Sequence, residues 1–278
     1  MRLATFNVLH GRSIDDGIVD RKRFAESVAA IDADVLALQE VDRLQPRSGS
    51  LDLTTVAAEA AGAVSHRFVA AVVGTPGETY RPLSFDDDGA DEPNYGIGLV
   101  SRYPVRSWRT LRLSPSPVPG PIYMVGPAGG RGRPMLLRDE PRVMVVAVLD
   151  TPWGDVTVGA THLSFVPGWN LWQLRQVVRV LRTFPAPRML LGDLNLPAAP
   201  AALGSGWRPL GRVPTFPSSA PRVQLDHVLA DPRGWGTWPS TADVTTPVVP
   251  VSDHRPLVVD LPLNGAPGSA GAAPGHPG

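Results

Sequence analysis

The chain has 278 residues, 26 Lys plus Arg against 26 Asp plus Glu, and no cysteine. That length, with 43% hydrophobic residues, supports a buried core and excludes a disordered chain. The lack of Cys excludes disulfides, thiolate metal sites and a cysteine nucleophile, and zero net charge weighs against gripping a long nucleic acid by bulk charge.

In chain order, strand Arg2–Asn7 precedes a helix over Arg21–Ile31, whose Phe24, Val28 and Ile31 share a face. Asp34–Leu38 reads as a short strand ending at Gln39-Glu40, and Leu51–Ala61 as a helix stopped by Gly62. Strands follow at His66–Val73, Gly96–Ser101 and Val105–Leu113. A Pro/Gly-rich loop is expected from Ser114 to Glu140, then strands Arg142–Leu149 and Val156–Thr161. Leu171, Leu174, Val178 and Leu181 mark a helix over Trp169–Leu181. Strand Met189–Gly192, a short helix near Ala198–Leu203, and strands Leu225–Leu229, Thr241–Thr245 and Leu257–Leu261 complete the pattern. Many strands with few helices indicate an α+β or mixed α/β sandwich.

The segment from Asn264 to Gly278 carries no charge and no aliphatic side chain larger than alanine, so residues 1–263 are expected to form one domain with 264–278 a disordered tail. Met1 opens directly into a strand pattern without a signal-peptide layout. No apolar run approaches the roughly 18 residues of a membrane span. The expectation is a cytoplasmic monomer without stable membrane insertion.

Four apolar strands stop abruptly at polar residues: Thr5-Phe6-Asn7, Leu36-Ala37-Leu38-Gln39-Glu40, Leu190-Leu191-Gly192-Asp193-Leu194-Asn195 and Val251-Ser252-Asp253-His254. Strand ends are where sheet-based sites meet solvent. Carboxylates without thiols form a hard-ligand set, suited to Mg²⁺ or Mn²⁺ more than zinc. A single acid at a strand end is commonly a turn former, but four such stops call for a joint explanation.

Taken in order, Asn7, Leu38-Gln39-Glu40-Val41, Gly96 to Ser101-Arg102-Tyr103-Pro104, Thr161-His162-Leu163, Gly192-Asp193-Leu194-Asn195, Asp226-His227 and Ser252-Asp253-His254-Arg255-Pro256-Leu257 resemble the endonuclease/exonuclease/phosphatase superfamily over nearly the whole chain. The resemblance implies an α+β, four-layer α/β/β/α sandwich of DNase-I-like type: two packed mixed sheets flanked by helices. It also implies a Mg²⁺-dependent phosphoesterase.

Carried over residue by residue, Glu40 matches the principal metal ligand, with Asn7 beside it and Asp253 supporting the metal or its water network. Asp193 and Asn195 match the Gly-Asp-x-Asn element, where the acid orients or deprotonates water and the amide donates to phosphate. His254, oriented by Asp226, has the chemistry of a general base, and the choice between His254 and Asp193 stays open. His162 matches a position that assists the leaving group or the phosphate. One departure is that Gly96-Ile97-Gly98-Leu99-Val100 lacks the amide of the family's segment.

Only Lys22 is a lysine, so arginine is the cation available to an anionic substrate. Arg131-Gly132-Arg133, Arg138, Trp169 and Trp172 could border the cleft, although Trp172 reads as core. The run Asp86–Asp88 with Asp91 and Glu92 reads as a solvated loop, with a calcium site as the outside alternative. His10, His227 and Arg102 read as structural. The expected substrate is a phosphodiester in a nucleic acid end, a nucleotide or a phospholipid headgroup, with a phosphomonoester or a non-catalytic scaffold as alternatives.

Overall fold

The computed structural model describes residues 1–84, 89–124, 133–235 and 243–262. Along the first part of the chain lie β1 (Arg2–Asn7), α1 (Arg21–Ile31), β2 (Val35–Arg43), α2 (Leu53–Ala61), β3 (Ser65–Gly74), β4 (Tyr80–Pro82), β5 (Asn94–Ser101) and β6 (Val105–Leu113). Then come β7 (Gly120–Met124), β8 (Arg133–Leu137), β9 (Arg142–Thr151), β10 (Gly154–His162) and α3 (Trp169–Leu181). The last are β11 (Arg188–Asp193), α4 (Ala198–Ser205), β12 (Arg208–Pro209), β13 (Asp226–Ala230), β14 (Asp243–Thr245) and β15 (Leu257–Asp260).

The central strands are apolar on both faces, and their two-residue period sorts the side chains between layers. In β2, Val35 and Ala37 join the core between the sheets, while Leu36 and Leu38 face α1 and α2. In β9, Val143, Val145 and Ala147 point to the same inner core, while Met144 and Val146 meet α3. Strands covered on both sides in this way form two sheets, ordered β14-β15-β1-β2-β5-β3-β4 and β12-β13-β11-β10-β9-β6. Helices α1 and α2 cover the first sheet, α3 and α4 the second, giving the expected four layers. Burying one Leu, Val or Phe in these cores contributes about 1.5–3 kcal/mol.

Local chemistry sets the helix ends. Asp20 and Asp52 cap α1 and α2 by accepting from the backbone N–H groups of Arg23 and Thr55, and Gly62 closes α2 with a left-handed φ of 63°.

The structure departs from the sequence expectations in several places. The segment expected to be loop from Ser114 to Glu140 contains the β7–β8 hairpin, paired from Gly120↔Leu137 to Met124↔Arg133. Prolines at 117, 119, 121 and 134 disguise it, yet a two-stranded ribbon has free edges that tolerate them. A Cβ on Gly120 would press on Phe165 and Val166 at 2.9 and 2.8 Å, so the hairpin needs glycine there to approach that loop. Strand β2 runs five residues beyond Leu38, through a bulge described below. Trp172 is not core: it is 42% exposed and its ring lies 4.4 Å from that of Trp169. It falls on the outer edge of α3, outside the buried Leu174, Val177, Val178 and Leu181 stripe.

The expectations for Asp86–Asp88, for Arg131-Gly132 and for the 264–278 tail lie outside the described residues, as does the Arg133 side chain. Asp91 and Glu92 are exposed, and Glu92 pairs with Arg81. Among the described residues no helix is long and apolar enough to cross a membrane.

Candidate active site

The polar strand ends converge where the two sheets face each other. Asn7 follows the inward face of β1 behind Leu3 and Thr5, and is buried. Its Nδ2 donates to Glu40 Oε1 and to Asp193 Oδ2, both at 3.0 Å, while its Oδ1 accepts from Leu9 N. The Leu9 N–H fixes which end of the amide is oxygen, so Asn7 presents its donor to the two acids.

Glu40 reaches the same place by a different route. Strict alternation after Leu36 and Leu38 would aim it at the helices. Instead the register of β2 against β5 slips by one residue between Leu38↔Gly98 and Val41↔Gly96, and Glu40 adopts φ 55°. This bulge redirects the carboxylate into the inter-sheet cleft, and a left-handed glutamate is a strain that the surrounding sheet holds in place.

The second sheet needs no such device. His162, Asp193 and Asp226 are direct cross-strand neighbours on β10, β11 and β13, with pairings His162↔Asp193 and Asp193↔Asp226. All three continue the inward faces formed by Val158 and Ala160, Met189 and Leu191, and Val228 and Ala230. Alternation plus ladder register therefore lines them up. A Cβ on Gly192 would collide with the Thr161 carbonyl, so this crossing requires glycine.

His254 arrives from the turn before β15. Its Nδ1 lies 2.8 Å from Asp226 Oδ2, and its ring sits 4.8 Å from that of Phe216. Ser252, at φ 72°, donates from Oγ to the Asn7 carbonyl at 2.6 Å and accepts from His254 N at 3.1 Å, tying the turn to the end of β1.

Asp193 Oδ2 is the centre of the cluster. Besides Asn7 it has His162 Nε2 at 3.6 Å and His254 Nε2 at 3.9 Å. Asn195, at φ 49°, donates from N to Asp193 Oδ1 at 2.9 Å, and its Nδ2 lies 3.2 Å from His162 Nε2 and 3.0 Å from the Leu163 carbonyl. Asn170, at the start of α3, donates to the Asn195 carbonyl at 2.8 Å and holds that turn.

The electrostatics follow from crowding acids at the foot of the cleft. Burial, then the charge of Asp253, pushes the Glu40 carboxyl up to about 7, against the lowering effect of the Asn7 hydrogen bond. Burial and Asp226 push Asp193 up to about 6. For His254, burial alone would depress the imidazole, but Asp226, Asp193 and Asp253 outweigh it and push it up to about 10. His162 is held well below its ordinary value by burial, Arg142 and His254. Its Nε2 then suits the hydrogen offered by Asn195.

The residues present fit a hard divalent cation. Asp193, Asp226 and His254 bring ligand atoms within 4.8 Å of one another, but Asp226 Oδ2 is taken by His254 Nδ1 at 2.8 Å, so the carboxylates open to a cation beside this cluster are those of Glu40 and Asp253. Glu40 and Asp253 add carboxylate charge alongside. A bound cation would relieve the repulsion that raises Glu40 and Asp193.

All eight residues singled out in the sequence meet here: Asn7, Glu40, His162, Asp193, Asn195, Asp226, Asp253 and His254. Of the residues read as structural, His227 and Arg102 stay apart. His227 turns to the Leu196 carbonyl at 2.8 Å on the helix side, and Arg102 braces Ala61 O and Asp32. His10 is depressed to about 3 by burial, Arg47 and Arg12. Arg138 is exposed. Sequence reasoning missed Tyr95 and Arg142, whose signal was an isolated polar residue at the mouth of an otherwise apolar strand. The missing amide of the 96–100 segment has a neighbour in Asn94, whose Nδ2 serves the carbonyls of Gly89 and Glu92.

Layering and site position together define a DNase-I-like sandwich, a class confirmed by comparison with solved structures. The chain belongs to the endonuclease/exonuclease/phosphatase family, whose model matches residues 4–254. Members of this family are phosphoester hydrolases and are generally dependent on divalent metals. A family protein from Beutenbergia cavernae is 25% identical with a TM-score of 0.62, over 96% of this chain and 72% of that one. A mannosyl-6-phosphatase from Bacteroides thetaiotaomicron (16% identity, TM-score 0.59, 95% and 100% covered) shares the fold. So does sphingomyelinase C from Streptomyces griseocarneus (16%, 0.56, 93% and 98%). A search of curated proteins found no match.

Proposed function

We propose that this chain hydrolyses phosphodiesters with Mg²⁺ or Mn²⁺, acting on a nucleic acid end, a nucleotide or a phospholipid headgroup. The observation that carries this reading is the convergence of Asn7, His162 and His254 on Asp193 Oδ2. Glu40 and Asp253 would hold the cation, with Asn7 beside them, and the bound cation would supply Lewis acidity toward the phosphoryl oxygen.

The chain's own groups supply the rest. Asp193 is positioned to accept a proton from the attacking water, helped by the raised proton affinity that burial and Asp226 give it. His254 is kept protonated by its acidic neighbours, so it serves as a donor to phosphoryl oxygen, and Asp226 fixes its ring through Nδ1. This favours Asp193 over His254 as the base. Asn195 holds His162 and shapes the turn beside the reacting group, and His162 faces the leaving group.

A substrate panel tests the proposal: bis(p-nitrophenyl) phosphate, p-nitrophenyl phosphate, single-stranded DNA and phospholipid vesicles, with Mg²⁺, Mn²⁺ or EDTA. Diester hydrolysis that needs metal and is lost in His254→Ala supports it. No turnover of any substrate with either metal overturns it, and turnover of the monoester alone replaces the diester reading by a phosphomonoesterase.

A further inference from the structure

The turn that follows Asp193 is gripped from behind by two side chains that lie outside the proposed catalytic cluster. Strand β11 stops at Asp193 and Asn195 adopts φ 49°, so the carbonyls of Asn195 and Leu196 belong to no sheet ladder. Asn170 Nδ2 donates to the first at 2.8 Å, and His227 Nε2 lies 2.8 Å from the second. A carbonyl only accepts, so the imidazole carries its hydrogen on Nε2. Both side chains are buried. They come from different elements: Asn170 from the first turn of α3, and His227 from β13, where it sits opposite Gly192. The preceding residue of β13, Asp226, points to the other face and orients His254.

Packing alone does not explain either residue. The helix side of this sheet is filled by Leu190, Leu194, Leu229 and their apolar neighbours. An imidazole there leaves Nδ1 buried without a hydrogen-bond partner, a cost that leucine would not incur. Burial lowers the proton affinity of His227, so the ring is neutral and what it supplies is the one bond to Leu196. Asn170 divides its amide between two duties. Its Oδ1 accepts from the N–H groups of Gly168 at 3.1 Å and Leu171 at 2.8 Å, which starts α3, and its Nδ2 is left for the turn. On the cleft side the same turn spends the Asn195 N–H on Asp193 Oδ1 and the Asn195 Nδ2 on His162 and Leu163. The front of the turn is therefore only as fixed as its back.

We propose that Asn170 and His227 are a pair of positioning residues for the hydrolysis: by holding the carbonyls of Asn195 and Leu196 they fix the left-handed turn, and with it the direction of Asn195 Nδ2 and of the Asp193 carboxylate. Neither side chain touches the substrate. The proposal rests on the phosphoesterase reading for the reaction served, while the fixing of the turn stands on its own. A displacement of about 1 Å at reacting groups costs about 10²-fold in rate, so loosening the turn falls on kcat and leaves substrate binding nearly unchanged.

Three variants of the full chain test the pair. Asn170→Asp keeps an oxygen for the start of α3, where negative charge is favourable, and loses the donor to Asn195. His227→Leu removes the donor within an apolar shell, and His227→Gln restores an N–H near the position of Nε2. With bis(p-nitrophenyl) phosphate and Mg²⁺, kcat should fall about 10- to 100-fold in Asn170→Asp and His227→Leu with KM within about twofold, and His227→Gln should recover most of the loss. Melting temperatures should not rank the proteins in the order of kcat. A second readout needs neither metal nor substrate: the Asn195 side-chain amide signals, assigned by their absence in Asn195→Asp, should exchange with solvent at least about tenfold faster in Asn170→Asp and His227→Leu. Unchanged kcat in both variants, unchanged Asn195 exchange, or a kcat loss that follows melting temperature with Gln no better than Leu overturns the inference. Should the variants of one residue fold poorly, those of the other decide by the same two readouts. Faster Asn195 exchange in the variants of a wild type without turnover would sink the hydrolase reading alone, whereas full turnover in Asn170→Asp and His227→Leu would sink this one alone.

Discussion

The two sheets deliver their halves of the site by different physical means. In the second sheet, His162, Asp193 and Asp226 sit side by side because β10, β11 and β13 pair in a register that continues their inward faces. In the first sheet Asn7 follows alternation, but Glu40 points inward only through a bulge and a left-handed backbone, and Ser252 occupies a second left-handed position. The second half is thus placed by the ladders that hold the core, and the first by local distortions that the core tolerates. The second half has a left-handed residue only at Asn195, an amide that tolerates that region, so the strain at a residue type that resists it belongs to the half that carries the proposed metal carboxylate.

This difference can be broken experimentally, and the largest expected effect is on turnover. Asp193→Asn removes the acceptor at the centre of the cluster while preserving its shape, and a fall in kcat of about 10³-fold or more is expected in a steady-state diester assay. A loss below about tenfold would remove Asp193 from the proton-accepting role.

In the register-built half, Gly192→Ala forces a Cβ onto the Thr161 carbonyl. It should destabilise the fold by about 2–4 kcal/mol in urea unfolding. An unchanged midpoint would mean that the β10–β11 ladder can spread at low cost.

The strained half should respond in the opposite direction. Glu40→Gly relieves the left-handed φ and removes a crowded carboxylate, so it is expected to raise stability in metal-free buffer by about 1 kcal/mol while abolishing metal-dependent turnover. Lower stability in EDTA would show that the bulge is comfortable for glutamate. Ser252→Ala removes the link between Asn7 and His254 and should cost about 1–2 kcal/mol, with a smaller loss of kcat than at Asp193.

The last expectation concerns pH. Glu40 is raised from 4.5 to about 7, Asp193 from 3.8 to about 6 and His254 from 6.5 to about 10. A raised value means that the folded state binds the proton more tightly, so each contributes stability at low pH that is lost as pH rises through its folded value. The metal-free protein should therefore lose stability through these groups between about pH 4 and 10. A divalent cation offsets the ionised acids, so the rise in Tm on adding Mg²⁺ should be larger at pH 8 than at pH 5. Equal shifts by calorimetry would argue that Glu40 and Asp193 do not face the ion.

Much of the site was legible because its residues interrupt apolar strands. Asn7 and Asp193 each end a run of buried side chains and Glu40 interrupts one, a polar stop visible without coordinates. The expected strand before His254, by contrast, is absent: residues 246–250 are partly exposed and His254 sits in the turn before β15. Arg142 was not legible as a site residue: at the start of a strand an arginine usually marks solvent, and only packing of Glu140, Asp139 and Phe165 around it turns it into a buried donor. The β7–β8 hairpin was hidden by its prolines, and Trp172 was misplaced because two positions along a helix turn a side chain about 200° away from Leu174.

The sequence by itself indicated a strand-rich sandwich and a cluster of carboxylates without thiols, while the four layers and the set of eight residues came from its resemblance to the family. The strand-rich pattern and the carboxylate content depend on residue type and on the two-residue and 3.6-residue periods, which are local properties of the chain. Tertiary structure alone decided that Glu40 crosses to the inner face, that Asp193 Oδ2 is where three nitrogens converge, and that Asn170 and His227 close on the turn carrying Asn195. Each of these depends on register, bulge and desolvation between segments distant in sequence, and no local pattern encodes them.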